Sequence, residues 1–415
     1  MRLAELFSRV LGLDDQVGFV AYDGSRHGPP DAEVRVEVRS PFALSHLASA
    51  PGELGLARAY VSGHLDVDGD LHRMFELVGD IDLGKMDMAT KAQLFAVLAW
   101  RRLWWPVSPP PQEARPHGRR HSKGRDAASI SHHYDVSNRF YELVLGPSMA
   151  YTCAVYQNSG STLEQAQFAK HDLVARKLGL DEGMRLLDVG CGWGGMVMHA
   201  AEHYGVKALG VTLSREQAEW AQKAIVQRGL QDLAEVRFSD YRDVPETDFD
   251  AVSSIGLTEH IGAAKLRSYF GTLYAKLRRG GRLLNHCITR PNDSAPFRPG
   301  EFINRYIFPD GELEGPGHLV SRINDAGFEV RHEENLREHY AKTLQAWCAN
   351  LNRHWTRAVE EVGLAKARVW RLYLAASQWG FDVNNVQLHQ ILGVKLDGTA
   401  AHMPLRPNWE PPLPA

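Results

Sequence analysis

Cysteine is scarce in this sequence: four cysteines occur in 415 residues. They stand at positions 153, 191, 287 and 348, without the close pairs that hold zinc in metal-binding motifs. Four thiols so widely separated also do not suggest the disulfide framework of a small secreted domain. The sequence therefore predicts neither a metal site nor a fold stabilised by disulfides.

Long apolar runs and a strong charge imbalance are missing as well. No apolar run reaches the roughly 20 residues that a membrane-spanning helix needs. Residues 1–10 lack the basic region and uninterrupted apolar stretch of a signal peptide. The formal net charge is -3, which argues against a nucleic-acid-binding protein. We therefore expect a cytoplasmic protein whose contact with a membrane, if it has one, is peripheral.

The length of the chain predicts two or three domains. Residues 108–126 are rich in proline, glycine and arginine, which is typical of a solvated linker. Before it, residues 32–39 alternate apolar and charged side chains like a strand with one buried face. We predict a small α+β domain over residues 1–107, which would contact lipid or a second copy of the chain, and a second domain over residues 127–415.

Residues 91–106 are the best candidate for membrane contact within the first domain. Their apolar body ends in tryptophans and arginines, as in helices that lie in the membrane interface. The alternative is an amphipathic helix that packs on its own domain.

Residues 184–195 form an apolar strand that runs into a glycine turn. Asp188 lies two residues before Gly190, and Gly192 follows. A strand that turns into a helix beside a ligand needs positive φ angles and no side chain in the way, which glycine provides. This segment predicts a site for a nucleotide-like cofactor, although its spacing also matches the G-x-G-x-x-G pattern of dinucleotide-binding proteins.

The residues after the next two strands argue against a dinucleotide as the cofactor. A dinucleotide-binding enzyme would carry an acidic residue after the second strand, where this chain has Thr212 and, further on, Gln217. Asp240 follows the third apolar strand, where a carboxylate can accept a hydrogen bond from an adenine amino group. One acid at the glycine turn, Asp188, and another after the third strand, Asp240, form an arrangement that resembles class I S-adenosylmethionine methyltransferases. Dinucleotide binding remains the alternative.

Strands and helices alternate after the linker. Apolar strands are predicted near residues 185, 208, 235, 250 and 284, with helices over residues 214–228 and 263–277. This alternation predicts an α/β fold with a doubly wound, Rossmann-like parallel sheet that binds ligands at the carboxyl ends of its strands. The carboxyl-terminal part of the chain is predicted to form a helical lid.

Several distinct motifs occur along the chain, at residues 132–141, 145–154, 210–217, 240–243, 256–262, 306–311 and 339–347. Their residues and order are typical of the cyclopropane-fatty-acyl-phospholipid synthase family, and the chain resembles that family over residues 127–395.

The resemblance implies a reaction. Members of the family transfer a methyl group from S-adenosylmethionine to the cis double bond of an acyl chain on a membrane phospholipid, through a carbocation. A bound bicarbonate ion is thought to act as the base that removes the last proton. The ligands of this ion map to the backbone at Cys153 and Ile288 and to the side chains of Glu259, His286 and Tyr340. A covalent role for the Cys153 thiol is the alternative.

The resemblance also implies the residues that bind the cofactor. Tyr151 and Thr152 would lie near its carboxylate, Gly190 and Gly192 at the glycine turn, Thr212 and Gln217 near the ribose, and Asp240 and Tyr241 near the adenine. Asp188 is a further candidate, although its carboxylate could instead hold the backbone of the glycine turn.

Two details depart from the cyclopropane pattern. Thr258 stands where an apolar or aromatic residue is more usual, and residues 287–291 place Arg290 near the expected pocket. A related branch of the family converts an oleoyl chain into a 10-methylene product, the precursor of 10-methyl branched lipids, and the motifs favour this branch. A partner reductase would then complete the branched chain. Ring formation, a small-molecule methyltransferase and a non-catalytic lipid-binding protein remain alternatives.

These expectations place the protein at the inner face of the cell membrane, in peripheral contact with phospholipids that carry unsaturated chains. A homodimer would double the membrane footprint.

Overall fold

The computed structural model describes residues 2–11, 13, 16–79, 96, 107–114, 137–294, 300–309 and 311–410. These residues form two compact units. The first consists of Met1–Arg115, Pro299–Pro309 and Leu351–Trp379, and the second of Pro116–Arg298, Asp310–Asn350 and Gly380–Ala415. The predicted division of the chain assigned the two later segments of the first unit to the methyltransferase domain.

Two buried polar clusters explain why these later segments belong to the first unit. Arg368 donates hydrogen bonds to the carbonyl oxygen of Tyr60 at 2.8 Å and to Asp66 Oδ2 at 2.7 Å. Glu113 accepts hydrogen bonds from Arg58 at 2.8 Å and from the Tyr306 hydroxyl at 3.4 Å. Buried charges are stable only when paired, so these contacts fix the later segments on the amino-terminal residues.

The first unit contains a four-stranded sheet in the order β2-β1-β3-β4, in which only the β1–β3 pair is parallel. Its strands are β1 (Gly18–Ala21), β2 (Arg26–His27), β3 (Arg35–Val38) and β4 (Leu65–Asp68). The helices that accompany them are α1 (Leu3–Leu11), α2 (Phe42–Ser49), α3 (Glu53–Val61) and α4 (Leu71–Val78). The predicted strand over residues 32–39 is β3, and its valines are buried. The predicted α+β character is confirmed.

The second unit contains a seven-stranded sheet in the order β10-β11-β9-β8-β5-β6-β7. Its strands are β5 (Arg185–Val189), β6 (Lys207–Thr212), β7 (Ala234–Phe238), β8 (Phe249–Ile255), β9 (Leu277–Thr289), β10 (Glu329–Asn335) and β11 (Gln387–Val394). Strands β5 to β9 are parallel to one another, and β11 pairs antiparallel with β9 and with β10. All five predicted strands are therefore present.

Helices cover both faces of this sheet. In chain order the remaining helices of both units are α5 (Asn138–Leu145), α6 (Leu163–Leu178), α7 (Gly195–Tyr204), α8 (Arg215–Gln227), α9 (Leu266–Lys276), α10 (Glu301–Tyr306), α11 (Pro316–Asp325), α12 (Arg337–Arg353), α13 (Trp355–Val362) and α14 (Leu364–Asp382). Of these, α10, α13 and most of α14 belong to the first unit. One apolar core joins α6, α7 and α8 to the sheet, and a second joins α9 and α11 to its other face. The predicted doubly wound α/β fold is confirmed.

Helix α6 has clear sequence signals at both of its ends. Thr162 and Gln165 form a reciprocal capping box at its start, and Gly179 ends it in the left-handed conformation. The carboxyl-terminal helices of the prediction are present as α12, α13 and α14.

The described helices are too short or too polar to cross a bilayer. The candidate membrane-contact segment, residues 91–106, lies outside the described residues except for position 96. Most of the predicted linker and residues 132–136 of the first motif lie outside them as well.

Candidate active site

A large cleft opens in the second unit at the carboxyl ends of β5, β6, β7 and β8. It contains about 1210 Å³ of space that no atom fills, including solvent at its mouth. All nine residues predicted to bind the cofactor line it: Tyr151, Thr152, Asp188, Gly190, Gly192, Thr212, Gln217, Asp240 and Tyr241. Residues that are up to 90 positions apart in the sequence thus meet in one place, because the parallel strands end at the same edge of the sheet.

The glycine turn after β5 leaves room for a ligand. Gly190 and Gly192 have φ angles of 72° and 54°, in the left-handed region that favours glycine. A side chain at Gly192 would meet no atom of the described residues within 4 Å, so the backbone there faces open space. The turn is fixed by two hydrogen bonds to the carbonyl oxygen of Val211, from Gly190 N at 2.9 Å and Cys191 N at 3.0 Å.

Thr212 and Gln217 contact each other at the end of β6. The Thr212 hydroxyl donates to Gln217 Oε1 at 2.7 Å. Since this bond occupies the amide oxygen, it orients the amide nitrogen of Gln217 as a donor. Ser214 caps the first turn of α8 by accepting a hydrogen bond from Gln217 N. The pair is preorganised for a ligand with hydroxyl groups.

Asp240 shares its carboxylate with a neighbour that the prediction did not include. It accepts hydrogen bonds from Arg242 Nε at 2.7 Å and from Arg242 N at 2.9 Å. The ring of Tyr241 packs edge-on against Tyr269, with centroids 5.3 Å apart. An adenine amino group that donates to Asp240 would therefore share the carboxylate with Arg242.

Asp188 is buried and contacts the adjacent strand. It accepts a hydrogen bond of 2.6 Å from the Ser253 hydroxyl of β8. Burial raises the pKa of Asp188 to about 7, although this hydrogen bond and the charge of Lys170 oppose the rise. Asp188 thus joins two central strands beneath the cleft.

Lys170 and His171 of α6 line the cleft, and the sequence analysis missed both. Lys170 is 1% exposed, and its Nζ atom donates to the Thr152 hydroxyl at 3.1 Å and lies 2.8 Å from His171 Nε2. Burial lowers the pKa of Lys170 to about 8, opposed by the charge of Asp188. Burial and the Lys170 charge lower the pKa of His171, which is therefore neutral and accepts from Lys170.

A signal for these residues was available in the sequence. Helix α6 places several polar side chains at positions where the helical period predicts core, and all of them are buried: Gln167, Lys170, His171 and Lys177. A buried charge needs a partner, so such a pattern marks a polar site beneath the helix.

Glu259, His286 and Ile288 lie on or beside β9, and we call these three residues the β9 site. Glu259 contacts Ile288, whereas the His286 ring contacts Gln390. Glu259 lies in a short 3-10 turn, Thr258–His260, and its Oε1 atom accepts a hydrogen bond of 2.7 Å from Ile288 N. Its Oε2 atom is buried without a hydrogen-bond partner among the described residues, although the residue as a whole is partly exposed. Burial raises the pKa of Glu259 to about 7. The carboxyl group can therefore carry a proton near neutral pH.

His286 is fully buried on β9. Its Nδ1 atom lies 3.1 Å from Gln390 Nε2 on β11. Its Nε2 atom has no hydrogen-bond partner within the described part of the chain. Burial and the charges of Lys170 and Lys177 hold the pKa of His286 well below its usual value, so the ring is neutral.

Cys153 and Tyr340 lie near Leu336, at the start of α12. The Cys153 thiol donates to the carbonyl oxygen of Ala154 at 3.2 Å and lies 3.8 Å from that of Leu336. Burial raises the pKa of this thiol, which does not favour a covalent nucleophile. Tyr340 N donates to the same Leu336 oxygen, and its ring packs 4.5 Å from that of Phe381.

The structure groups the five predicted catalytic residues only in part. Glu259 and Ile288 are bonded to each other and line a small cavity with Thr258, Cys287 and Glu312. Among the described residues that line the large cleft, none of the five occurs. That all five surround one ion stays a prediction.

Arg290 lies beside two carboxylates. It pairs with Asp293 at 2.8 Å and with Glu314 at 3.5 Å. It is not among the described residues that line the large cleft. The two carboxylates hold the guanidinium group beside them, because a mostly buried cation is most stable with its charge paired.

The geometry agrees with comparisons to known proteins. A model of the family described as mycolic acid cyclopropane synthetase matches residues 121–391. A probable fatty acid methyltransferase of Mycobacterium tuberculosis is 54% identical over 405 residues, which are 95% of this chain and 94% of that protein. The chain belongs to the mycolic acid cyclopropane synthetase family.

Other members of the family support the assignment. A probable fatty acid methyltransferase of Pseudomonas putida is 38% identical over 95% of both chains. The structure of the cyclopropane synthase MmaA2 from Mycobacterium tuberculosis matches with a TM-score of 0.62 and 31% identity, and it covers 65% of this chain and 98% of that one. Mycolic acid cyclopropane synthase CmaA1, in complex with SAH and CTAB, matches with a TM-score of 0.62 and 32% identity over the same shares.

Membership in the cyclopropane synthetase family confirms the predicted resemblance and the predicted enzyme class. The chain is an S-adenosylmethionine-dependent methyltransferase of the cyclopropane synthase type. The residues of the cleft fit this cofactor. A cation, Lys170, lies beside Thr152, hydroxyl-binding groups follow β6, an aromatic ring and a carboxylate follow β7, and the glycine turn leaves open space between them.

Proposed function

We propose that the protein methylates the cis double bond of an oleoyl chain in a membrane phospholipid and releases a 10-methylene product. The broader statement, modification of lipid acyl chains, is supported by the family and by two full-length relatives named as probable fatty acid methyltransferases. The observation that carries the proposal is the position of Glu259, whose carboxyl group accepts a hydrogen bond from Ile288 N and whose neighbours Leu257 and His260 line the cofactor cleft.

The cleft residues would hold S-adenosylmethionine in a defined orientation. Thr152, backed by Lys170, would take its carboxylate, and Thr212 and Gln217 its ribose hydroxyls. Asp240 would accept from the adenine amino group. When bound, the cofactor supplies an electrophilic methyl group. The protein must then place a double bond against that methyl group and exclude water from the cation that results.

The β9 site offers the groups that this cation requires. An alkene has no proton to lose before it reacts, so a base is needed only after the methyl group has been transferred. In the proposed reaction the cation shifts a hydride and then loses a proton from the added carbon, which leaves the methylene group.

Bicarbonate is the proposed base. Glu259 Oε2 and His286 Nε2 are buried without hydrogen-bond partners among the described residues, and both would contact the proposed ion. A protonated Glu259 would donate to the ion instead of repelling it, and Ile288 N and the Tyr340 hydroxyl would complete its ligands. When bound, bicarbonate supplies an oxygen that accepts the proton.

The methylene product is favoured over the ring by the nature of the relatives. The full-length relatives are named for fatty acid methylation, and a sphingolipid C9-methyltransferase of Gibberella zeae is 32% identical over 66% of this chain. Thr258, which departs from the cyclopropane pattern, forms a hydrogen bond of 2.6 Å with Asn285 beside the β9 site. Cyclopropane formation is the second candidate, since the family model carries that name.

Proton NMR of lipids from cells that express the protein separates the two products. Both products add one CH₂ unit, so mass alone cannot distinguish them. We expect vinylidene proton signals and no upfield cyclopropyl signals. Cyclopropyl signals without vinylidene signals would replace the methylene proposal with ring formation.

A release assay tests the substrate class and the base. S-adenosylhomocysteine release is measured with vesicles of dioleoyl phospholipid, with vesicles of saturated phospholipid, and with added or depleted bicarbonate. We expect release only with the unsaturated vesicles, and more of it with bicarbonate. Release without lipid would indicate a small-molecule methyltransferase, and cofactor binding without release under all conditions would indicate a non-catalytic lipid-binding protein.

The substrate also implies where the protein acts and which enzyme would use its product. We propose peripheral contact with the inner face of the cell membrane, because the double bond lies within an acyl chain that must be drawn into the protein. A 10-methylene chain is the substrate that a partner reductase would need to form a 10-methyl chain. A homodimer would strengthen membrane contact, and sedimentation with and without vesicles tests both association states.

A further inference from the structure

A chain of buried polar groups extends from the surface to His286. Lys177 of α6 is fully buried and forms a short ion pair with Glu334 of β10, which is partly exposed. Lys177 Nζ also donates to Gln390 Oε1 at 2.7 Å. Gln390, itself fully buried, lies opposite His286 in the register of β11 and β9, with its Nε2 atom 3.1 Å from His286 Nδ1.

The hydrogen-bond donors and acceptors of Lys177, Gln390 and His286 allow only one orientation of the Gln390 amide. An ammonium group has donors and no acceptor, so the amide oxygen of Gln390 must face Lys177. The amide nitrogen then faces His286, and because an amide nitrogen only donates, His286 Nδ1 must accept. In a neutral imidazole whose Nδ1 accepts, the proton is on Nε2.

The burial of His286 and the charges near it support the neutral ring. His286 is fully buried, and the charges of Lys170 and Lys177, both on α6, act on its ring. His171, also near, is neutral. A second proton on His286 would face these two positive charges without the solvation of water.

We infer that Lys177 and Gln390 are positioning residues that hold His286 in the Nε2–H form, so that His286 is a hydrogen-bond donor in the β9 site and not its base. The role in turnover rests on the proposed function, whereas the tautomer does not. The proton of the reaction must then go to another group, and the imidazole N–H is left to hold an acceptor such as an anion. Glu334 keeps the Lys177 ammonium charged, which in turn fixes the Gln390 amide.

Nitrogen-15 NMR tests the tautomer directly in the full-length protein. The protein carries 19 histidines, so the His286 ring signals are assigned by their loss in His286→Gln. Two-bond proton–nitrogen correlations distinguish a protonated ring nitrogen from an unprotonated one. At neutral pH we expect an unprotonated Nδ1 and a protonated Nε2. A protonated Nδ1 in the wild-type protein would overturn the inference, whatever substrate the enzyme uses.

Gln390→Glu tests the positioning role of Gln390. The new carboxylate only accepts, so it can keep the Lys177 contact but must receive a proton from His286 Nδ1, and the Nδ1 signal should change from unprotonated to protonated. An unchanged Nδ1 signal would contradict the positioning role. Lys177→Met is the second variant: without the ammonium the Gln390 amide can rotate, and both tautomers should appear.

Gln387→Glu is the matched control, because Gln387 lies on the same strand and bonds only to Asn384 at the surface among the described contacts. If the proposed function holds, Gln390→Glu lowers kcat on the order of 10²-fold, the size of losing one preorganised donor, with the KM for S-adenosylmethionine unchanged. Gln387→Glu should leave kcat unchanged. A tautomer change without loss of kcat would confirm the positioning and remove His286 from the reaction.

Discussion

The cofactor cleft and the β9 site differ in how their polar groups are satisfied. In the cleft the side chains are bonded to one another: Thr212 to Gln217, Asp240 to Arg242 and Lys170 to Thr152. At the β9 site Glu259 Oε2 and His286 Nε2 are buried without partners within the described residues. An unsatisfied buried group costs about 1–3 kcal/mol, so the β9 site is maintained at a cost to stability.

This difference indicates that the cleft binds the cofactor and that the β9 site takes part in the reaction. A cleft of mutually bonded groups binds a ligand by exchanging partners, which changes affinity by modest factors. A site with unpaired groups gains most when a reacting species supplies the missing partner, as preorganised catalytic sites do. Changes at the β9 site should therefore affect turnover strongly, and changes in the cleft should affect mainly cofactor affinity.

The largest effect is expected for Glu259→Gln. The amide keeps an oxygen for Ile288 N, but it cannot exchange a proton in the manner of a carboxyl group. We expect kcat to fall by about 10³-fold or more, with the dissociation constant of S-adenosylmethionine changed less than about twofold. Turnover is measured by S-adenosylhomocysteine release and affinity by calorimetry. Glu235→Gln, which removes an exposed carboxylate on β7, is the control. Full activity of Glu259→Gln would remove Glu259 from the mechanism.

The same variant should be more stable than the wild-type protein at alkaline pH. The pKa of Glu259 is raised from 4.5 to about 7, so the folded state favours the protonated form. Wild-type stability is therefore fully present below the unfolded pKa and is lost as pH rises through about 7. At about 1.4 kcal/mol per pKa unit, glutamine should gain up to about 3 kcal/mol at pH 8 and almost nothing at pH 4.

Urea unfolding at several pH values measures this gain. Equal stability of the two proteins across the whole range would show that Glu259 is not held in its protonated form. Loss of activity together with gain of stability in one variant would be direct support for a site maintained at the expense of the fold.

The sequence predicted the cofactor cleft far better than the β9 site. Each cofactor residue follows the end of a parallel strand or belongs to a local motif, so Gly190, Thr212 and Asp240 could be placed without any knowledge of tertiary contacts. The alternation of apolar strands with helical segments similarly predicted the sheet and its helices.

The support of the β9 site depends on contacts that no local pattern reveals. Gln390 is 104 residues from His286, and Lys177 is 213 residues from Gln390. Their meeting is determined by β11, which inserts antiparallel between β9 and β10. The segment Leu351–Trp379 was assigned to the methyltransferase domain for the same reason, because the Arg368 contacts that hold it on the first unit span about 300 residues.

A smaller effect is expected for Lys170→Met in the cleft. The ammonium group supports Thr152, which we expect to bind the cofactor carboxylate, and a hydrogen bond to a charged group contributes about 1.5–3 kcal/mol. The dissociation constant of S-adenosylmethionine should rise about 10- to 100-fold, with a much smaller change in kcat at saturation. Lys223→Met, an exposed position on α8, is the control. Unchanged affinity for Lys170→Met would mean that the carboxylate binds elsewhere.

The smallest effect concerns the pH dependence of cofactor affinity. Burial lowers the pKa of Lys170 to about 8, so the ammonium is fully charged below that pH and loses its proton above it. Affinity for an anionic carboxylate should accordingly fall as pH rises through about 8. The amino group of the cofactor titrates near 7.7–8.0 as well, so the test is the difference between the wild-type protein and Lys170→Met. Calorimetry at about pH 6.5 and pH 9 should show that the advantage of the wild-type protein shrinks at the higher pH. An advantage that is equal at both pH values would show that Lys170 stays charged and that Asp188 stabilises its ammonium more strongly than burial opposes it.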